Sequence, residues 1–371
     1  MPGRLTSQGA SGIASCDARW SPLSGSGHNR RGRLRPRRRG RCVRTHRRPQ
    51  PRGSPRRWAR YRMPGSPVME SVDERAHGFG RRQHGLATRV QLAAVGISPR
   101  TISRRLAAGT WHEPLPRVID LGTHGASWHR ALQQLLLATG CGLASHWTAA
   151  HLHGFLDVGR PARFDVVVPR GRHPRVGGVR LHTTTRLELD ERAVVDGLAC
   201  TSRARTLLDL AAYTTVDELE RLALDLERRK GGFRHEVTTI AARRRGAPGR
   251  ARLRAALDRL PPDAAALESP LEVRGLQTLR LLGVPPPKLQ HEIRDHVGVL
   301  VKRVDAAWPG ALVAVEFDSA GYHDSTEQQR SDARARQRLS DLGWEVVVVR
   351  SADLDVPEAS AALARLRRRL G

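Results

Sequence analysis

Leu312-Val313-Ala314-Val315-Glu316-Phe317-Asp318 decides how the C-terminal part of this 371-residue chain is read. Alternation at period two makes the stretch a strand and sets Glu316 and Asp318 on one face. Carboxylates inside an otherwise Val-rich strand are costly to bury unless they are paired or bind a cation. The Pro309-Gly310 turn joins this strand, read as Ala311–Asp318, to an antiparallel neighbour at Leu300–Trp308. That neighbour carries Asp305, so Asp305 and Glu316 are expected to converge at one edge of the sheet. Working outward, the pattern predicts a helix over Ser269–Leu282, stopped by Gly283 and Pro285-Pro286-Pro287, and a strand at Lys288–Arg294. A helix at Glu327–Leu342, ended by Gly343, leads into the strand Trp344–Arg350, and one more helix closes the chain. Glu272 shares a helix side with Leu276 and Leu279, so it borders the buried face. Four acids from three elements can build an oxygen-ligand site for magnesium. Plainer roles stand beside this one. Glu272 with Ser269 is also a capping box, Asp318 also suits a turn, and His323 is either a general acid/base or a loop histidine.

At these residues the C-terminal segment resembles a known family. The ordered set is Ser269-Pro270-Leu271-Glu272, Arg303-Val304-Asp305 with Trp308-Pro309, Val315-Glu316-Phe317-Asp318 with Tyr322-His323, Arg330-Ser331-Asp332 and Leu342-Gly343-Trp344-Glu345-Val346. It is similar to domain of unknown function 559, which is related to very-short-patch-repair endonucleases and the PD-(D/E)xK nuclease superfamily. The resemblance implies a restriction-endonuclease-like αβββαβ domain over 262–371 that hydrolyses phosphodiesters with Mg²⁺ or Mn²⁺. Carried over, Asp305 and Glu316 are the metal ligands and Glu272 is the helix-borne acid. Asp318, His323 and Asp332 are their neighbours. The position of the ExK lysine is held here by Asp318. His323 or a second metal ion would then take over the lysine's part.

Residues 78–122 predict a winged helix-turn-helix. Val90–Val95 forms a short helix closed by Gly96, and Ser98 caps a second helix with Pro99 at its first position. Ile102 and Leu106 then face inward, leaving Arg100, Thr101, Arg104 and Arg105 outward as candidate DNA-binding residues. Gly109-Thr110-Trp111 turns into a wing ending at Arg117-Val118-Ile119-Asp120. A generic helical hairpin with solvated arginines is the alternative. Residues 123–261 read as mixed α/β. Helices are expected at Trp128–Thr139, from Leu143 onward, at Ser202–Ala212 and at Val216–Arg229, with strands at Phe164–Pro169 and Val179–His182. A basic connector, Arg243–Arg250, precedes one more helix. The histidines of this segment lack metal-ligand spacing and read as structural or surface residues. His84-Gly85-Leu86-Ala87-Thr88, Ser98–Ile102, Ser145-His146-Trp147-Thr148-Ala149-Ala150 and Thr201–Leu210 resemble AbiEi-type antitoxins. That resemblance implies a winged helix followed by an α/β domain, DNA as a partner, autorepression in some members, and a cognate toxin.

Residues 1–77 read as an Arg-rich arm without a core of its own. Positions 1–68 hold 18 Arg against the single acid Asp17, so either a disordered phosphate-holding arm precedes the domains or translation starts at Met63 or Met69. The whole chain carries a net charge of +28, with only three lysines (Lys230, Lys288, Lys302). A polyanionic partner, nucleic acid foremost, is expected. Absence of an 18-residue apolar run argues against membrane spans, and four isolated cysteines without a CxxC pair fit a reducing cytoplasm. No P-loop or GxGxxG fingerprint is present. The fold class is thus an α/β multidomain chain. Its function is read as a metal-dependent DNA endonuclease targeted by a winged helix, with a non-catalytic antitoxin-type regulator as the alternative.

Overall fold

The computed structural model describes residues 71–318 and 326–371, with backbone alone for 326–330. The segment 1–70 and His323 lie outside the described residues.

The first unit runs α1 (Val72–Arg82), β1 (Leu86–Thr88), α2 (Arg89–Ala94), α3 (Pro99–Ala107), β2 (His112–Leu115) and β3 (Val118–Asp120). Its sheet has the order β1-β3-β2 with both pairings antiparallel. Leu92, Ile97, Ile102, Trp111 and Ile119 make its core. Residues 71–77, expected within the arm, instead open α1. Ser71 and Glu74 form a reciprocal capping box there, satisfying two helix-end donors. Asp73 also pairs with Arg105 of α3, which ties α1 into the unit.

The middle segment runs α4 (Trp128–Thr139), β4 (Leu143–Ala144), α5 (His146–Leu152), β5 (Phe164–Pro169), β6 (Val179–Thr184), β7 (Arg192–Val195), β8 (Leu198–Thr201), α6 (Arg203–Leu210), α7 (Val216–Arg229), α8 (Phe233–Arg243) and α9 (Arg250–Asp258). Its sheet has the order β6-β5-β4-β8-β7. Three features depart from the sequence expectation, one of them the unforeseen helix α8 between the Gly231-Gly232 stop and the basic connector. Leu143 and Ala144 are not helical, because their backbone completes the sheet between Val166-Val167 and Cys200, and the helix starts only at His146. The β7–β8 hairpin turns on Asp196-Gly197, both at positive φ.

The C-terminal segment runs α10 (Pro270–Leu281), β9 (Lys288–Arg294), β10 (Leu300–Trp308), β11 (Val313–Asp318), α11 (Thr326–Asp341), β12 (Glu345–Arg350), α12 (Ser351–Asp355) and α13 (Ala361–Leu370). Strand order is β12-β11-β10-β9, antiparallel except for the β11–β12 pair, which is parallel across α11. This segment does not stand apart from the middle one. A single hydrophobic cluster extends from Leu207, Leu222 and Leu253 through Leu276 to Val313, Val349 and Leu366. Arg280 of α10 crosses to α7, bonding Glu220 Oε1 at 2.7 Å and Asp217 Oδ1 at 2.9 Å.

Helix α10 lies close on β11 because Gly275 has no side chain. A Cβ there would sit 2.0 Å from the Phe317 ring. Gly275→Ala gains helix propensity yet overpacks this contact, so it should destabilise the chain by about 1–3 kcal/mol. Urea denaturation monitored by tryptophan fluorescence checks this; a stabilised variant would mean that α10 and β11 are not so closely apposed.

Candidate functional site

Three groups of residues carry chemistry, one in each segment. In the first, Ser98 Oγ accepts from the Thr101 amide at 3.2 Å and meets the Thr101 hydroxyl at 3.0 Å, so the cap fixes the start of α3. Ile102 is buried. Arg100 and Arg104 are exposed and make no ion pair with any described residue. Arg105 differs from the outward role expected of it. Its guanidinium bonds Asp73 at 2.9 Å and lies 5.5 Å over the Trp111 ring, which spends it on holding α3 to its neighbours. Thr101 is half-buried beside its cap. At the tip of the β2–β3 hairpin, Arg117 adopts a left-handed φ of 74° and is exposed, adding a cation that the sequence reading had not singled out.

The first unit is fastened to α4 by Arg130. This buried side chain pairs with Asp120 of β3 and donates to the His84 carbonyl at 2.7 Å. His84 Nε2 meets the Asp196 carbonyl at 2.8 Å, and Gln133 donates to Gln83 at 3.2 Å. A Cβ on Gly197 would lie 2.5 Å from the Arg82 carbonyl oxygen, so the β7–β8 turn touches the end of α1 directly.

In the middle segment the motif residues gather around two buried carboxylates. Asp165 Oδ1 is 2.9 Å from His182 Nε2 and 3.2 Å from Arg180 Nη1. His146 stacks on His182 at 3.6 Å, with Tyr213 edge-on at 5.5 Å, and its Nδ1 meets Ser145 Oγ at 2.9 Å. Burial, reinforced by the neighbouring His182, pushes the His146 imidazole down to about 3. Its φ of 48° is unusual for a non-glycine residue. Glu191, fully buried, receives Arg205 at 3.0 Å together with Arg244, and Arg205 also holds Asp209 at 2.8 Å. Burial raises the Asp209 carboxyl despite Arg205. Sequence spacing hid this cluster, because its members meet only across strands β5 and β6 and helices α5 and α6.

In the C-terminal segment Glu272 is buried and accepts from the Glu268 amide at 3.0 Å and from Gln290 Nε2 at 2.9 Å. Ser269 caps α10 through the Glu272 amide, but the carboxylate does not return the bond to Ser269. Asp305 follows Glu316 in register, one step from the Ala306–Val315 pair. Its Oδ2 accepts from the Phe317 amide at 2.8 Å. Burial pushes its carboxyl up to about 6, with the charges of Glu272 and Glu316 adding and the Phe317 amide opposing. Glu316 faces two cations: Lys302 Nζ lies 2.5 Å from Oε1, and Arg336 Nη2 lies 3.7 Å from Oε2. Lys302 also reaches Asp332 at 3.5 Å. Asp318 sits half-exposed, 3.7 Å from Arg350 Nε. Glu272 and Asp305 thus share Gln290, whereas Glu316 joins Lys302, Asp332 and Arg336. Among the described residues no group of three or more His, Cys, Asp or Glu side chains is placed to hold a metal ion, and these donors do not fit one as arranged. Lys302 is the residue sequence reasoning missed. Its signal was there: one of three lysines in an arginine chain, on the strand that carries Asp305.

Residues 138–259 match the family model of the AbiEi antitoxin C-terminal domain. Two uncharacterised proteins of Mycobacterium tuberculosis, MT2308 (strain CDC 1551 / Oshkosh) and Rv2248 (strain ATCC 25618 / H37Rv), are each 29% identical over 230 residues, 60% of this chain and 79% of theirs. The crystal structure of the RV2827C protein from the same species aligns with 60% of this chain and 88% of its own at 14% identity, with a TM-score of 0.33. Among the described residues no helix is long and apolar enough to cross a membrane.

The matched segment contains His146, whose buried neutral ring makes folding acid-sensitive. An unfolded chain protonates this histidine near pH 6.5, whereas the folded chain resists to about 3. Stability should therefore fall as pH drops through that window, by up to about 1.4 kcal/mol per unit from this residue alone. His146→Asn tolerates the left-handed backbone and removes the titration. Denaturation at about pH 7 and about pH 5 should show a smaller acid loss in the variant; equal losses would place the acid sensitivity elsewhere.

Proposed function

We propose that the chain is a DNA-binding regulator of the antitoxin type. Its first unit acts as a winged helix-turn-helix with α3 in the major groove, and its middle segment serves the antitoxin role implied by the matched family, with a cognate toxin as partner. The observation that carries this reading is the state of Arg100 and Arg104. Both are exposed on α3 with no ion pair to a described residue, whereas Arg105 beside them is used internally. Cations left free on one helix face, behind a capped start and a buried Ile102, suit phosphates and base edges. Arg117 at the hairpin tip suits a neighbouring groove or backbone contact. The α1-β1-α2-α3-β2-β3 order with β3 between β1 and β2 supports the same assignment.

A second reading, the metal-dependent endonuclease, is favoured by one observation: Asp305 and Glu316 are adjacent in register, and burial, with Glu272 and Glu316 nearby, raises the Asp305 carboxyl. In that reading Lys302 supplies the cation that Asp318 withholds from the ExK position. His323 belongs to the same reading and lies outside the described residues.

Binding and cleavage separate the two. On a duplex from upstream of its own coding sequence, Arg100→Ala/Arg104→Ala should weaken binding and lower the slope of log K against log salt by about 2; unchanged affinity and slope would sink the α3 assignment. On supercoiled plasmid in Mg²⁺, Mn²⁺ or EDTA, metal-dependent nicking abolished by both Asp305→Ala and Glu316→Ala would establish the nuclease. Protein that shifts DNA without cutting it leaves the regulator standing.

A further inference from the structure

Residues 159–186 hold seven arginines and one acid, Asp165. That acid is buried and already paired with Arg180 and His182, and Arg186 pairs with Glu188. Arg160, Arg163, Arg170, Arg172 and Arg175 remain. All five are exposed, and none makes an ion pair or side-chain hydrogen bond with a described residue. Elsewhere in the middle segment most arginines are paired, Arg205 and Arg244 with Glu191, Arg228 and Arg229 with Asp225, Arg259 with Asp217, while Arg203 and Arg245 stand singly among the described residues. The contrast singles out this loop.

Topology sets how the five are strung along the sheet, at both ends of β5 and on the connection that follows it. β5 and β6 are parallel neighbours, and β6 is an edge of its sheet, so the connection 170–178 returns from the end of β5 to the start of β6. Arg170 and Arg172 leave from the end of β5, where their amides bond Thr184 and Pro169 carbonyls. Arg175 returns beside the start, where the Phe164 amide bonds the Gly178 carbonyl. Arg160 and Arg163 precede that same start. Phe164 packs 5.2 Å from Trp128, the first residue of α4, and the charge of Arg160 reaches His129 next to it. Two residues further along α4 stands Arg130, which fastens the first unit. The basic edge therefore begins at the joint that holds the α3 unit.

We propose that Arg160, Arg163, Arg170, Arg172 and Arg175 form a second nucleic-acid contact, gripping the phosphate backbone of duplex that continues beyond the segment read by α3. This rests on the DNA-binding reading above. Guanidinium groups bind phosphate oxygens through paired donors, and the intervening Gly171, Gly177 and Gly178 let a backbone come close. The patch lacks the buried aromatic or aliphatic anchor that a protein interface core requires, since the large apolar side chain most open on β6, Leu181, is only 36% exposed.

The test uses the full chain and fluorescence anisotropy on duplexes of about 16 and about 42 bp, roughly one and a half and four helical turns. Arg163→Ala/Arg172→Ala/Arg175→Ala is compared with wild type and with Arg100→Ala/Arg104→Ala across a salt series. The expected result is a loss confined to the long duplex, with a salt slope lower by up to about 3 and affinity at low salt weaker by about tenfold or more. Thermal melting should be unchanged, because the three side chains are exposed and unpaired. If the triple variant matches wild type on both duplexes while the α3 variant loses binding to both, the patch proposal is overturned and the DNA-binding reading survives. If neither variant changes binding, both fail together. A triple variant that binds DNA normally but loses a co-expressed acidic protein partner would likewise overturn the phosphate assignment.

Discussion

Arg130 is the side chain on which the working geometry turns. It projects from the first turn of α4, is nearly buried, and satisfies Asp120 and the His84 carbonyl together. Removing either partner would strand a charge in a site with little water, an expensive outcome for a buried pair. The surrounding contacts are also short and polar, with Gln83 to Gln133 and His84 to the Asp196 carbonyl. These bonds hold the first unit in a set direction against the second sheet. A flexible linker would leave the separation of α3 from the arginines around β5 undefined, whereas this joint fixes it.

Buried charge is used in the same way deeper in the molecule. Asp165, Glu191, Asp209, Glu220 and Asp225 are carboxylates out of water, and each is met by arginine. Such pairs contribute little net stability, because the desolvation of both groups offsets their attraction. What they supply is geometry: Glu220 and Arg280 align α7 with α10, and Glu191 aligns α6 with the α8 terminus through Arg205 and Arg244. An arginine-rich chain can then be sorted into two populations. Those with an inward acid shape the fold, and those without one include the exposed pair on α3 and the five around β5.

Much of the backbone was legible because the signals were local. Alternation placed β9 and β10 to the residue, and caps with proline at the first position placed α3 and α10. β4 was not legible: Leu143-Ala144 is two residues long and is a strand only because β5 and β8 flank it. The β7–β8 hairpin escaped for a similar reason, although Asp196-Gly197 carried its turn signal. Site residues divided along the same line. Arg100 and Arg104 follow from helical periodicity alone, but the diversion of Arg105 to Asp73 and Trp111 depends on α1, whose start the arm's composition concealed. Lys302 on Glu316 and His146 on His182 are cross-strand and cross-element facts that no spacing rule contains.

The two readings of the C-terminal segment turn on how its acids are shared. A site built to take up a divalent cation keeps its carboxylates facing one point, and an ammonium already among them competes for that point. Here Glu316 turns to Lys302 and Arg336, while Asp305 spends one oxygen on the Phe317 amide and shares Gln290 with Glu272. Glu272 and Asp305 are hydrogen-bonded by protein, and Glu316 is held by ion pairs although its buried Oε1 has no hydrogen bond. The raised Asp305 carboxyl pulls the other way, since a carboxyl near 6 beside two further acids is what burial produces at sites that handle protons or cations. Lys302 connects the two. With its ammonium in place Glu316 is paired between β10 and α11; withdrawn, it leaves Glu316 to Arg336 alone, beside Asp305. A regulator needs only the first state, and a nuclease needs the second to be reachable. The same lysine that completes the fold is therefore the group whose movement would separate a retained scaffold from a working active site.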